Sequence, residues 1–184
     1  MIFEAEYFEV QSPVLIKPKV FADERGYFFE SFAQKDLAKI GIDQPFLQDN
    51  QAYSHKGTLR GLHFQKNPYA QSKLVRVTSG KVLDVAVDLR KNSPTYGAHV
   101  MVMLDAVDHH LFYIPQGFAH GYLVVSDTCT FQYKCDQYYT PASEGGIRFD
   151  DPNLKIVWPD LSLDYKVSDR DQHLPLLDPD IHAF

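Results

Sequence analysis

The chain has 184 residues, 45% of them apolar, enough for one large domain with a real core. Its formal charge of −6 argues against nucleic acid or an acidic membrane surface as partner, since both need a basic footprint, and an anionic ligand would need a local basic cluster. The opening MIFEAEYFEV lacks the basic start and apolar run of a signal peptide, and nowhere do about 18 apolar residues run together, so the expectation is a soluble cytoplasmic protein.

Val14–Phe21 reads as the first strand, and Asp23-Glu24-Arg25-Gly26 as a turn into a second, GYFFESF. Ala33–Ile40 has the spacing of a short helix that Gly41 would end. Strands follow at Phe46–Ser54, Thr58–Gln65, Lys73–Ser79 and Lys81–Arg90, with Ser79-Gly80 as a tight turn between the last two. Ala98–Leu104, His110–Ile114, Gly121–Ser126 and Thr128–Asp136 complete the set, and a turn of helix is expected near Asp169–His173. About ten short strands separated by turn signals predict a mostly β, jelly-roll or closed-barrel fold with a few short helices. In Lys81–Asp88 the alternation puts Asp84, Ala86 and Asp88 on one face, and an acidic pair of this kind is expected to face solvent.

The segment Thr58–Gln65, TLRGLHFQ, places Arg60 and His63 inside an apolar run. A histidine in a strand is most often structural, but Lys73 and His120 stand in other strands, and buried polar groups converge only at a cost unless a ligand serves them. Strict alternation would put Arg60 and His63 on opposite faces, and Gly61 between them is a candidate site for a bulge that re-aims one of them. A metal-binding barrel would carry a second histidine two residues after His63, where this chain has Gln65. His109 and His110 point opposite ways if in a strand and are read as loop or surface residues, so no metal is expected. Cys129 and Cys135 form no zinc pattern and are read as packed free thiols. Nucleophile elbows and glycine-rich phosphate loops are absent, which leaves acid-base chemistry by His, Tyr, Asp and Lys.

The blocks VFADERGYFFESF, QDNQAYSHKGTLRGLHFQ, KLVRVTSGKVLDVAVDLRKNSPTYG, YIPQGFAHGYLVVSD, YKCDQYYTPASEGGIRFDDP and SDRD together resemble the dTDP-4-dehydrorhamnose 3,5-epimerase family, in unbroken order from about Val14 to Leu177. The resemblance implies a cupin-type double-stranded β-helix. It also implies a cofactor-free reaction that inverts C3 and C5 of dTDP-4-dehydro-6-deoxy-D-glucose to give dTDP-4-dehydro-L-rhamnose. Both carbons flank a 4-keto group, so the chemistry needs a base on one face, an acid on the other and stabilisation of an enolate oxygen.

By resemblance His63 is the base, Asp171 the carboxylate that orients it, Tyr133 the acid across the ring and Lys73 the partner of the 4-keto or enolate oxygen. Tyr139 would position the sugar. The nucleotide side carries over onto Arg25, Glu30, the Gln48-Asp49-Asn50 segment, Arg60, His120, Glu144 and Arg170, with arginines serving the diphosphate. Arg170 stands where the family commonly has lysine. The part holding Arg25 and Glu30 would reach a neighbouring subunit, which implies a homodimer. The alternatives are an enzyme of the same fold that inverts only C3 or only C5, and a non-catalytic nucleotide-sugar-binding cupin.

Overall fold

The computed structural model describes residues 3–182 and 184. The strands are β1 (Phe3–Tyr7), β2 (Val14–Pro18), β3 (Phe21–Asp23), β4 (Gly26–Phe28), β5 (Gln48–His55), β6 (Thr58–Gln65), β7 (Lys73–Ser79) and β8 (Lys81–Asp88). They continue with β9 (His99–Asp105), β10 (Leu111–Ile114), β11 (Phe118–Val124), β12 (Thr128–Cys135), β13 (Glu144–Gly146) and β14 (Lys166–Val167). Short helices α1 (Gln34–Leu37), α2 (Asp169–Gln172) and α3 (Pro179–His182) complete the fold. Among the described residues no helix is long and apolar enough to cross a membrane.

Two sheets carry the architecture. One runs β1-β2-β10-β7-β12-β5 and the other β13-β6-β11-β8-β9, with β14 added in parallel to β6. They pack face to face through one apolar core, to which the first contributes Val75, Val77, Phe112 and Phe131 and the second Val82, Val102, Phe118 and Val124. The fold is therefore the expected cupin-type jelly roll.

Each sheet is also covered on its outer face. Helix α1 lays Leu37 over Ile16, Leu74 and Leu111 of the first sheet. The C-terminal third lays Ile147, Leu154 and Trp158 over Leu62, Val85 and Val87 of the second. This double cover overturns the solvent-facing expectation for Asp84 and Asp88. Both are fully buried, and they share the inner face of β8 with Val82 and Ala86 of the central core. Alternation records that two faces differ, not which one is wet, and here neither is.

Asp88 survives burial through its partners. It accepts hydrogen bonds from Arg90 Nε and Nη2 at 2.9 and 2.7 Å, from Ser93 Oγ at 2.6 Å and from Thr95 Oγ1 at 2.7 Å. Burial alone would raise its pKa, but these donors outweigh burial and hold the carboxyl at about 2. The native state thus binds this proton less readily than the unfolded chain does. The resulting stabilisation, about 2 kcal/mol, is complete above pH ~4 and is lost as pH falls toward 2. Urea unfolding at a series of pH values is expected to show that Asp88→Asn removes stability of this order at neutral pH and flattens the decline between pH 4 and 2.

The predicted helix appears as α1 continued by a 3₁₀ turn over Ala38–Ile40, and Gly41 caps it in the left-handed region at φ 82°. The predicted first strand is broken after Pro18, and β3 and β4 form a separate ribbon that exposes Phe21, Tyr27 and Phe28. Strand β1 was not predicted: it is an edge strand in which only Phe3 is buried, so its FEAEY sequence has little apolar signal. Cys129 and Cys135 are buried free thiols, each pushed up to about 11 by burial.

Candidate active site

Strand β6 matches its predicted bounds, but not its predicted alternation. Arg60 lies opposite Tyr122 and His63 opposite His120, so two residues of β6 face the single Gly121 of β11. The extra residue is a bulge at Gly61. Its φ of +129° disfavours any side chain, and a Cβ there would lie 2.6 Å from the Gly121 Cα. The bulge cancels the alternation, and Arg60 and His63 both enter the same cavity.

That cavity has a volume of about 540 Å³ and lies between the sheets. Arg60, His63 and His120 come from the second sheet, while Lys73, Phe131 and Tyr133 come from the first. A recess of about 110 Å³ adjoins it, sharing His63, Lys73 and Tyr133 and adding Tyr139 and Glu144. A flat ligand between the sheets would meet imidazole on one side and phenol and ammonium on the other.

His63 Nε2 is 2.8 Å from Asp171 Oδ1, which leaves Nδ1 as the ring nitrogen available to a ligand. Asp171 arrives on α2, whose N-cap Ser168 accepts the Asp171 N–H at 3.1 Å, and its Oδ2 accepts the Gly61 N–H at 3.2 Å. Burial would raise the pKa of Asp171, but the bonds from His63 and Gly61 outweigh it and hold the carboxyl below the usual range. An ionised carboxylate fixes the proton of His63 on Nε2 and leaves Nδ1 a lone pair.

His120 Nε2 stands 3.0 and 3.1 Å from the two oxygens of Asp84. Burial pushes this imidazole down, against the pull of Asp84. Burial likewise lowers Lys73, against Cys135, Asp84 and Glu144, and raises Tyr133, so the phenol is protonated near neutrality. At the rim Glu144 accepts from Arg170 Nη2 and from the Tyr139 hydroxyl, each at 2.7 Å. Burial opposes ionisation of Glu144, but these two donors outweigh it and lower its pKa. Gln48 accepts the Tyr139 N–H at 3.0 Å and donates to Asn50 Oδ1 at 2.9 Å, continuing the β5 face on which Ala52 lines the cavity.

A family model described as dTDP-4-dehydrorhamnose 3,5-epimerase matches residues 8–179. The chain belongs to the dTDP-4-dehydrorhamnose 3,5-epimerase family. The Escherichia coli enzyme of that name is 47% identical over 171 residues, covering 92% of this chain and 92% of that protein. The Legionella pneumophila dTDP-6-deoxy-D-glucose-3,5-epimerase, solved with dTDP-4-keto-L-rhamnose, superposes with a TM-score of 0.93 at 42% identity, covering 98% of this chain and 97% of that one. A 3'-monoepimerase from Streptomyces bikiniensis, solved with dTDP-quinovose, gives a TM-score of 0.86 at 34% identity, covering 92% and 86%.

Of the binding residues expected from the epimerase family, Arg25 and Glu30 do not reach the cavity within one chain. Arg25 is exposed at the β3–β4 turn and bonds to Asp23, and Glu30 lies beside Phe32 and Leu37 on the outer side of the first sheet. The ribbon rests against the body through Tyr27, whose ring centroid lies 4.5 Å from that of His109, and leaves Arg25 on its exposed turn. Gln65, in the position where a metal-binding barrel would place a ligand, uses its Oε1 to accept the Thr140 N–H at 2.8 Å. Among the described residues no three His, Cys, Asp or Glu side chains converge as metal ligands do. Asp84 was missed as a site residue because its pattern was assigned to the outer face. Ser168 could have been found from the Ser-x-x-Asp spacing of SDRD, which marks a helix start.

Proposed function

We propose that the protein epimerises C3 and C5 of dTDP-4-dehydro-6-deoxy-D-glucose to give dTDP-4-dehydro-L-rhamnose, working as one domain. The observation that carries this reading is the His63–Asp171 pair on one wall of the cavity, with Tyr133 and Lys73 on the other.

His63 Nδ1 takes the proton from the carbon next to the 4-keto group. The C–H electron pair becomes the enolate double bond, and the carbonyl pair moves onto O4. Asp171 supports the imidazolium that forms, and Lys73 stabilises the negative O4 in a site where burial strengthens the interaction. Tyr133 returns a proton from the opposite wall, inverting the centre, and the same cycle serves the carbon on the other side of C4. After each inversion the imidazolium gives its proton to solvent and the tyrosinate takes one back, which resets both groups, and no oxidant or reductant is needed.

Arg60 and Arg170 serve the diphosphate, and Tyr139 and Glu144 position the sugar at the recess. Gln48, Asn50 and His120 support the nucleotide sugar. The exposed apolar β3–β4 ribbon favours a homodimer in which Arg25 and Glu30 serve the partner's site.

A second reading, inversion at one carbon only, is favoured by the fold shared with the monoepimerase, since the base and its carboxylate would serve either reaction. Proton NMR in heavy water with dTDP-4-dehydro-6-deoxy-D-glucose separates the two. Loss of both the C3 and C5 signals is expected, loss of one would assign a monoepimerase, and loss of neither would sink the catalytic reading.

A further inference from the structure

Two glutamines line the recess beside His63 and Lys73 without a part in the proposed chemistry. Gln65 ends β6 and is 4% exposed, and Gln71 stands just before β7. Both bond the same stretch of chain. Gln65 Oε1 accepts the Thr140 N–H at 2.8 Å, and Gln71 Nε2 donates to the Gln137 carbonyl at 2.7 Å. Between these two bonds, Gln48 of β5 accepts the Tyr139 N–H at 3.0 Å.

The stretch depends on such bonds. Residues 137–140 leave β12 of the first sheet and return, through a 3₁₀ turn, as β13 of the second, so they cross the rim from one wall of the cavity to the other. Residues 138–140 belong to no helix or strand, and none of the three bonded peptide groups has a backbone partner among the described residues. An exposed connection with so few backbone bonds opens easily, because water can replace what holds it. Tyr139 is 48% exposed, yet its hydroxyl lies 2.7 Å from Glu144. Glu144 is in register with Gln65 on the neighbouring strand, so the anchor of the loop and the acceptor of Tyr139 stand together at one end of the second sheet.

We propose that Gln65 and Gln71 are positioning residues for Tyr139: one from each sheet, they fix the loop that carries it and so set its ring at the recess. They act through Tyr139 rather than on the sugar. The bond from Gln48 holds only the middle of the loop, whereas Gln65 and Gln71 hold its two flanks. The position two residues after His63, where a metal-binding barrel would hold a ligand, is thus given to the loop. The part that Tyr139 plays toward the sugar rests on the proposed epimerase reading, and the hold on the loop does not.

The test uses Gln65→Met, which keeps the length of the side chain and removes its polar atoms, Gln71→Met at a half-buried position outside the core, Tyr139→Phe, and Gln65→Met combined with Tyr139→Phe. Native-state cleavage by chymotrypsin, read by mass spectrometry at each tyrosine, is measured beside the kinetics of C3 and C5 exchange and calorimetric dTDP binding. Each glutamine variant is expected to speed cleavage after Tyr138 and Tyr139 about five-fold, the worth of one net hydrogen bond, with cleavage at other tyrosines unchanged. KM for the sugar nucleotide is expected to rise by a similar factor while dTDP affinity holds within about two-fold. In the combined variant the two effects on KM are expected to be non-additive. A merely structural glutamine would speed cleavage at all tyrosines alike and leave KM unchanged, and that result overturns the positioning. Additive effects on KM also overturn it. Absence of exchange with the wild type overturns the epimerase reading and with it the sugar role of Tyr139, whereas wild-type exchange with loop cleavage and KM unchanged in both glutamine variants overturns the positioning alone.

Discussion

Replacing His63 by alanine is expected to stop deuterium from entering both C3 and C5, a fall on the order of 10³-fold, as loss of a general base predicts. One loss covers both carbons because the proposed base for each is His63, while the other imidazole on that wall, His120, is buried and bonded to Asp84. Tyr133→Phe should behave differently. Proton removal by His63 persists, so deuterium still washes in from the base's own side, but the proton needed for inversion has no donor on the other wall. Wash-in should then exceed net inversion by a large factor, read in one experiment from signal loss and product appearance. If Tyr133→Phe inverted as fast as wild type, the acid would have to be another group. If His63→Ala still exchanged at either carbon, the base would.

Asp171→Asn is expected to reduce turnover by about 10³–10⁴-fold while leaving dTDP binding nearly intact. The side chain keeps its shape, and an amide oxygen can still accept the Gly61 N–H that Oδ2 accepts at 3.2 Å. What changes is the direction of the bond to His63. A carboxylate only accepts at 2.8 Å and so holds the imidazole hydrogen on Nε2, whereas an amide nitrogen there donates and drives the hydrogen to Nδ1. The nitrogen facing the cavity then has no lone pair. Turnover measured beside calorimetric dTDP binding separates this tautomer effect from misfolding, which would lower both. Retention of more than a tenth of wild-type turnover would show that Asp171 does not set the state of the base.

What the sequence discloses about these groups differs residue by residue. The bounds of β6 were legible because an apolar run between two turn signals has few other readings, and Gly61 was legible as a place where alternation could fail. That it does fail, and in which direction, depends on the close approach of Gly121 from another strand, which no local pattern encodes. Asp84 is the converse case. Its face was assigned correctly relative to Ala86, but that Val85 and Val87 could be dry on the outer face depended on Leu154 and Trp158, some 70 residues away, lying over them. Strand β1 was illegible because an edge strand buries little, and α2 was legible because its cap is spelled locally in Ser168 and Asp171. Asp171, His63, Tyr133 and Lys73 could be grouped before any geometry only through resemblance to a family. Sequence spacing by itself placed none of them together.

The partners of the His63–Asp171 bond are 108 residues apart in the chain. A ribosome adding roughly 5–20 residues per second releases the imidazole some 5–20 s before its carboxylate. All strands of both sheets, β14 included, are made before α2. A chain that stalls or is clipped just short of α2 therefore has the material for the two sheets and their shared core, yet lacks the group that fixes the proton on His63. Until α2 is made, a chain that already holds both sheets is kept from the proposed proton abstraction by the order in which it is made.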